Sequence, residues 1–264
     1  MNIFRFEMKQ YRGSILVWSI GLAVAIILLL PMFVSVSGDP ATVEALVGDN
    51  PLLDTMGISI EVFTTTTGIY AYLNSIILVA AAIQACNLGL SIITKEHMQN
   101  TADFLMTKPY SRTNIFLSKL IASLCVIAII GLCYFLASLG TISIVSEQGF
   151  SFSQFFQIYL TFPLIQVFFL LLGIMISTIV SRVSSPLPLA LGISFGSYVI
   201  GLFSNVIQST IARLFSPFRY FDANLVLTSE NYESGYLVLF FTLLILFLIT
   251  SYTIYIKKDM KMVL

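Results

Sequence analysis

Few residues of this chain could carry out catalysis, and none stands in a recognised catalytic arrangement. Glu96 and His97 are adjacent, but a zinc protease needs clustered histidines and the chain holds a single histidine. The serines of its apolar stretches have no intramembrane histidine or lysine beside them to act as a base. No G-x-x-x-x-G-K-[ST] loop for nucleotide phosphates occurs. The sequence therefore predicts no enzyme activity, no metal site and no cofactor in this chain.

The composition predicts an integral membrane protein. Hydrophobic residues make up 58% of the 264 residues and charged residues 10%, and the mean hydropathy is +0.95. A soluble domain carries about 25% charged residues. Six apolar runs reach the roughly 20 residues that a spanning helix needs: 14–36, 68–93, 115–145, 156–180, 187–207 and 235–256. Because lipid requires backbone groups to be satisfied within each segment, we expect an all-α bundle forming one domain over residues 1–264.

The basic residues predict the orientation of this bundle. With six spans, eleven of the thirteen basic residues fall on the side of the N-terminus. Since positive charge concentrates in cytoplasmic segments, we expect both termini in the cytoplasm, at the plasma membrane of a bacterium. Residues 1–13 mix apolar and charged side chains, which predicts an N-terminal helix lying in the inner interface.

The two remaining basic residues, Arg213 and Arg219, fall in the outer segment 208–234. They either hold the outer ends of the fifth and sixth spans at lipid headgroups or mark a short helix that dips back into the outer leaflet.

Residues 94–119 form the only long polar interruption in the first half of the chain. Ala102, Leu105 and Met106 have the spacing of one helix face, with Thr101 as a candidate N-cap and Pro109 as a stop. We expect a short helix across the inner membrane surface; the alternative is a solvated loop that only joins two spans. The cores of the spans hold no Asp, Glu, Lys, Arg or His, and Lys119 lies in the first turns of the third span, so energy for transport is expected from another polypeptide.

This stretch, KE…NTADFLMTKPYSRTNIFLSK, resembles the cytoplasmic loop of permeases in the ABC-type-2 exporter family. There the loop reads Lys-Glu, a few residues, Gly-Thr, two or three apolar residues, and Lys-Pro-x-Ser-Arg before an apolar helix. Here Asn100 stands where the family has glycine, and asparagine also tolerates a left-handed backbone. The stretches EMKQYRGSILVWSIG and SPFRYFDA resemble further segments of the same family. The resemblance therefore covers most of the chain.

The resemblance implies that residues 95–113 contain a coupling helix resting in a groove of a separate ABC ATPase subunit. The implied contact residues are Lys95, Glu96, Asn100, Thr101, Asp103, Phe104, Leu105, Lys108 and Pro109. It also implies two ATPase copies, which hold ATP and Mg, and a second permease that is identical or homologous.

By the same resemblance, the translocation path lies between two permease copies and is lined by the second and fifth spans. The candidate residues are Asn74, Gln84, Asn87, Ser197, Gly201 and Ser204. Small residues of the fifth span, including the pair Gly192 and Gly196, equally suit close helix packing, so both roles stay open. So few charges suit a hydrophobic or amphipathic cargo, such as a peptide, a lantibiotic-like toxin or a drug.

Two other functions are compatible with the sequence. A non-transporting membrane scaffold or sensor for peptide immunity would bind its ligand without ATP-dependent flux. A secondary carrier is less favoured, because ion coupling normally uses ionisable residues inside the spans.

Overall fold

The fold is that of a computed structural model describing residues 3–37, 65–98, 111–146, 149–180, 185–207, 209–221, 227 and 232–257, with only the backbone at 96–98. The helices are α1 (Ile3–Gln10), α2 (Arg12–Ser37), α3 (Thr66–Met98), α4 (Arg112–Val145), α5 (Phe152–Ile179), α6 (Pro186–Val206), α7 (Thr210–Leu214) and α8 (Ser234–Lys257). A 3-10 turn, Pro217–Arg219, follows α7.

The predicted all-α membrane fold is confirmed. Six helices, α2 to α6 and α8, are long and apolar enough to cross a membrane, and no strand occurs in the described ranges. The short helix α1 precedes them. Helix α3 continues to Met98, beyond the end of its apolar run at Ile93, so Lys95 lies on a helix. The predicted coupling helix, around residues 101–109, lies outside the described residues.

Helices α3 and α5 form the centre of the bundle. Their most apolar stretches are 67% and 61% buried, against 17–39% in the other four. Helices α2 and α6 pack on α3, α8 packs on α5, and α4 packs on α2. The outer helices expose large apolar side chains such as Val17, Leu28 and Phe241, which suits contact with lipid chains.

Two glycines let the backbones of α3 and α5 touch. A Cβ placed on Gly173 would lie 2.5 Å from the Cys86 carbonyl oxygen and 3.1 Å from the Leu90 nitrogen. A Cβ on Gly89 would overlap the Leu170 carbonyl oxygen and lie 3.0 Å from the Ile174 nitrogen. Close approach of this kind is a general way in which membrane helices gain packing energy. The crossing therefore has no room for any larger residue.

The bundle has two ends. At one of them α2 and α4 begin and α3 and α8 terminate, and we call this the N-terminal end. There Ser111 caps α4 by accepting a hydrogen bond from the Asn114 amide at 3.3 Å. At the opposite end a short turn joins α4 to α5, with Gly149 at φ +80°, a conformation that favours glycine.

Candidate functional site

A buried group of charged side chains lies at the N-terminal end of the bundle. The charge cluster consists of Glu7 and Gln10 on α1, Lys95 on α3 and Lys119 on α4. Lys95 Nζ forms an ion pair with Glu7 Oε2 and donates to Gln10 Oε1 at 2.7 Å. Lys119 Nζ lies 3.9 Å from Glu7 Oε1 and donates to the Ile92 carbonyl at 2.6 Å. One carboxylate therefore lies between two ammonium groups.

The charge cluster is enclosed by the helices that carry it. Glu7 and Lys119 are each 1% exposed and Lys95 is 7% exposed. Lys95 Nζ also lies 5.7 Å and 5.2 Å from the ring centroids of Phe6 and Tyr11. Buried charges need such partners because isolated ones are strongly disfavoured away from water. The arrangement is suited to holding helices together.

A second set of contacts at this end joins the start of α4 to the end of α8. Arg112 Nη1 donates to the Ile256 carbonyl at 3.1 Å, and Phe116 contacts Tyr252 and Tyr255 at centroid distances of 5.7 and 5.3 Å. The last carbonyls of a helix lack intrahelical donors, and a guanidinium is a suitable substitute. The beginning of α4 is thus fixed on two sides, by α8 and by the charge cluster.

Polar side chains inside the bundle form a hydrogen-bond network between α3, α4 and α5. Asn74 Nδ2 donates to Thr161 Oγ1 at 3.1 Å and to the Ile158 carbonyl at 3.3 Å, and Asn74 Oδ1 accepts from the Tyr134 hydroxyl at 3.0 Å. All three side chains that form it are buried. Asn74 thus satisfies its own polar atoms inside the molecule and connects three helices.

A buried amide pair lies on the same two central helices. Gln166 Nε2 donates to Gln84 Oε1 at 3.4 Å, and both side chains are at most 2% exposed. Interhelical amide bonds of this type are one way in which membrane helices associate. Gln84 therefore faces α5 within this molecule.

The polar residues of α6 contact the segment that follows it. Ser197 Oγ donates to the Phe215 carbonyl at 3.1 Å, and a Cβ on Gly201 would overlap Ser216 Oγ. Ser204 is 5% exposed and donates back to the Gly201 carbonyl within its own helix. This face of α6 therefore packs on the turn between α7 and the 3-10 helix.

Comparison with known families decides what kind of protein this is. A family model described as "ABC-2 family transporter protein" matches residues 1–260. The chain belongs to this family. It is accordingly an ABC-2 permease, a membrane protein of an ABC transporter. A comparison with curated proteins gives no match.

The predicted coupling residues of the permease fall mostly beyond the part of the chain that the structure describes. Lys95 lies in the charge cluster, and Glu96 follows it on α3. The others lie outside the described residues: Asn100, Thr101, Asp103, Phe104, Leu105, Lys108 and Pro109. Their role as ATPase contacts stays a prediction. The structure describes both helices from which this segment leaves.

The predicted path residues of the permease do not form one surface. Asn74 and Gln84 are buried against α5, Asn87 is half-buried, and Ser197, Gly201 and Ser204 lie on α6 against the turn that follows α7. Within this molecule the first two stabilise helix contacts. Their place on a translocation path stays a prediction.

Glu7 belongs to the charge cluster, but it is not among the functional residues predicted from the sequence. The face of α1 that packs on the bundle carries Ile3, Phe4, Met8 and Tyr11, and Glu7 lies in the middle of this face as the helix's only buried residue. An acid at an apolar position of an amphipathic helix is a signal visible in the sequence. Its partners, Lys95 and Lys119, are too distant along the chain for periodicity to reveal.

At the opposite end of the permease, Arg213 and Arg219 bind within the molecule. Arg213 Nη2 pairs with Glu233 at 2.7 Å, Arg213 Nε donates to the Arg219 carbonyl at 3.1 Å, and its guanidinium lies 3.9 Å from the Tyr236 ring centroid. Arg219 donates to Asn205 Oδ1. These arginines therefore connect α6, α7 and α8 through contacts within the protein.

Two tyrosines support the same end. The Tyr220 hydroxyl donates to the Leu214 carbonyl and the Tyr232 hydroxyl to the Gln157 carbonyl. Burial, with a smaller contribution from Tyr236, raises the pKa of Tyr220 to about 12, and burial also raises the pKa of Tyr232. Both hydroxyls therefore keep the proton that they donate at neutral and moderately alkaline pH.

We expect Arg213→Lys to lower the free energy of unfolding by about 1 kcal/mol, because lysine cannot pair with Glu233 and stack on Tyr236 in the same planar way. Thermal unfolding of the detergent-solubilised permease measures this loss. Arg5→Lys, at an exposed position of α1, is the control and should change nothing. An equal loss in both variants would show that the contacts of Arg213 contribute no stability.

Proposed function

We propose that this permease is the membrane-spanning subunit of an ATP-driven exporter, moved by a separate ABC ATPase that binds residues 95–113. The observation that carries the proposal is the family match over residues 1–260 on a chain with six spanning helices. Permeases of this family generally work with an ABC ATPase. Hydrolysis of ATP, with its Mg, would take place in that partner.

The end of α3 and the beginning of α4, which we call the two stems of residues 99–110, are held in place by neighbouring helices. This supports contact with an ATPase at this position. Lys95 and Lys119 join α3 and α4 to α1, and Arg112 joins α4 to α8. A push on the intervening segment would therefore reach four helices. Switching by rigid movement of packed helices is a common response to such a push.

The assembly we propose contains two ATPase copies and a second permease, identical or homologous, in a bacterial plasma membrane. Helices α2, α6 and α8 are the least buried of the spans, with 22%, 22% and 17% burial, and so leave surface for lipid and for a second permease. Both termini and residues 95–113 lie on the cytoplasmic side in this proposal, which the distribution of basic residues favours.

The cargo we propose is hydrophobic or amphipathic, such as a peptide, a lantibiotic-like toxin or a drug. Away from the charge cluster, the buried polar side chains that the structure describes on the spanning helices are uncharged amides and hydroxyls, including Asn74, Gln84 and Thr161. An anionic cargo would favour basic side chains on its route. The charged residues of the charge cluster are buried and lie at one end of the bundle.

Substitution within residues 95–113 tests the docking of the ATPase. We expect Phe104→Asp with Leu105→Asp to abolish co-purification of the ATPase and ATP-dependent transport, because a docked apolar face would be replaced by charge. Glu96→Lys should lower ATP hydrolysis coupled to transport. Folded yield of the permease and bound ATPase are measured in the same preparation.

Thr242→Ser is the control for these variants, since Thr242 is exposed on α8 and serine keeps the hydroxyl that bonds to the Val238 carbonyl of the same helix. The ATPase should stay bound to it. Retention of the ATPase by the Phe104 and Leu105 variant at the wild-type level would overturn the proposed docking. Binding of a peptide without ATP-dependent flux in vesicles would instead favour a scaffold or sensor.

A further inference from the structure

Glu7 connects three parts of the chain that are remote in sequence. It is the buried residue of α1, and its two carboxylate oxygens face different lysines, Oε2 facing Lys95 and Oε1 facing Lys119. Helix α1 packs along α4, and Lys95 extends from α3 to meet it. A single side chain therefore holds α1, α3 and α4 together at one point.

The two lysines stand on the two stems of residues 99–110. Lys95 lies in the last turn of α3, which ends at Met98, and Lys119 lies in the second turn of α4, which begins at Arg112. The segment that we propose to bind the ATPase leaves one stem and enters the other. Glu7 thus fixes the separation of the stems just beyond the points where this segment is attached.

The charges of the cluster make Glu7 necessary for this separation. Gln10 and the Ile92 carbonyl accept hydrogen bonds from the lysines but carry no charge to neutralise them. Without the carboxylate, two ammonium groups with at most 7% exposure would lose the acid that lies between them. Their repulsion is strong at low dielectric, so the stems would separate or the lysines would leave the site.

We infer that Glu7 is a positioning residue for coupling: its carboxylate binds Lys95 and Lys119 and makes α1 and both stems of residues 99–110 move as one body. The inference rests on the proposed function, because it needs an ATPase that pushes this segment. It assigns α1 a part in transmission of the ATPase stroke. Glu7 acts through the lysines and contacts neither cargo nor nucleotide.

The test uses the complete permease purified with its ATPase and reconstituted in liposomes. The readout is the coupling ratio, the ATP hydrolysis rate of the complex divided by that of the ATPase alone. Glu7→Gln keeps the shape of the side chain and removes its charge. It should lower the coupling ratio at least about fivefold. The amount of bound ATPase should not change. A wild-type ratio in Glu7→Gln would overturn the inference.

A charge exchange separates positioning from mere stability. Glu7→Lys combined with Lys119→Glu keeps one acid and two bases in the cluster and leaves the proposed docking residues unchanged, so it should restore most of the coupling ratio. A folded complex of this double variant that stays as poorly coupled as Glu7→Gln would contradict the inference. Lys9→Met removes an exposed charge from the same helix and should behave as wild type.

A cluster with fewer charges keeps the test decisive if Glu7→Gln does not fold. Glu7→Met with Lys119→Met removes the acid and the lysine of α4, a replacement that folded proteins often accept, and leaves Lys95 bonded to Gln10. It should fold, retain the ATPase and show a reduced coupling ratio. Full coupling in this variant would overturn the inference. A wild-type permease that retains no ATPase would instead overturn the proposed function, and with it the inference.

Discussion

Gly173→Ala should destabilise the permease by about 3 kcal/mol, although it adds one methyl group. The new Cβ would lie 2.5 Å from the Cys86 carbonyl oxygen and 3.1 Å from the Leu90 nitrogen, and both are backbone atoms of α3. A helix backbone cannot move aside as a side chain can, so α3 and α5 would have to separate along the centre of the bundle. The thermal midpoint in detergent and the yield of monodisperse protein measure the effect.

Gly140→Ala is the matched control for this substitution. Gly140 lies on α4, and in the described part of the chain no atom comes within 4 Å of its added Cβ, so alanine should be neutral there or stabilise by up to about 1 kcal/mol. Gly89→Ala should destabilise the permease about as much as Gly173→Ala, because its new Cβ would clash with the backbone of α5 at the same crossing. Equal stability of Gly173→Ala and Gly140→Ala would show that the two backbones are further apart than the structure places them.

Asn74→Leu should cost about 2 kcal/mol, since it removes the acceptor of the Tyr134 hydroxyl and the donor to Thr161 from a buried site. The measurement is a double-mutant cycle with Tyr134→Phe. We expect the double variant to lose less than the sum of the two single variants, because both remove the same hydrogen bond.

Strict additivity in this cycle would contradict the network. Thr250→Val on α8 is the control, since it changes a hydroxyl outside the network. Transport by Asn74→Leu then bears on the predicted path: a change of cargo preference at unchanged stability would favour cargo contact over packing. Loss of stability with unchanged preference would favour packing.

The helices could be predicted from the sequence because a bilayer imposes a length and a composition on each span. Six runs of about 20 apolar residues leave few other folds, and the structure has six such helices. The faces of these helices could not be predicted in the same way. An almost uniformly apolar helix such as α5 has no polar stripe to show which side meets a neighbour.

The glycines illustrate this limit. Gly192 and Gly196 have the spacing typical of packed membrane helices, yet a Cβ on either would meet no atom of the described residues within 4 Å. The close crossing uses Gly89 and Gly173, single glycines on different helices. A pair of residues that pack across 84 positions leaves no periodic pattern within either helix. The candidate site shows the same limit, since Glu7 and Lys95 are equally remote.

The crossing of α3 and α5 also determines how far movement would spread. Gly89 lies six residues before Lys95 and 23 residues after Thr66, the first residue of α3. At about 1.5 Å per residue, these arms measure about 9 Å and about 35 Å. If α3 tilts as a rigid rod about this fulcrum, its far end travels about four times as far as Lys95 does. A displacement of about 1 Å at the charge cluster would then open or close the opposite end by about 4 Å. The position of Gly89 along α3 sets this amplification.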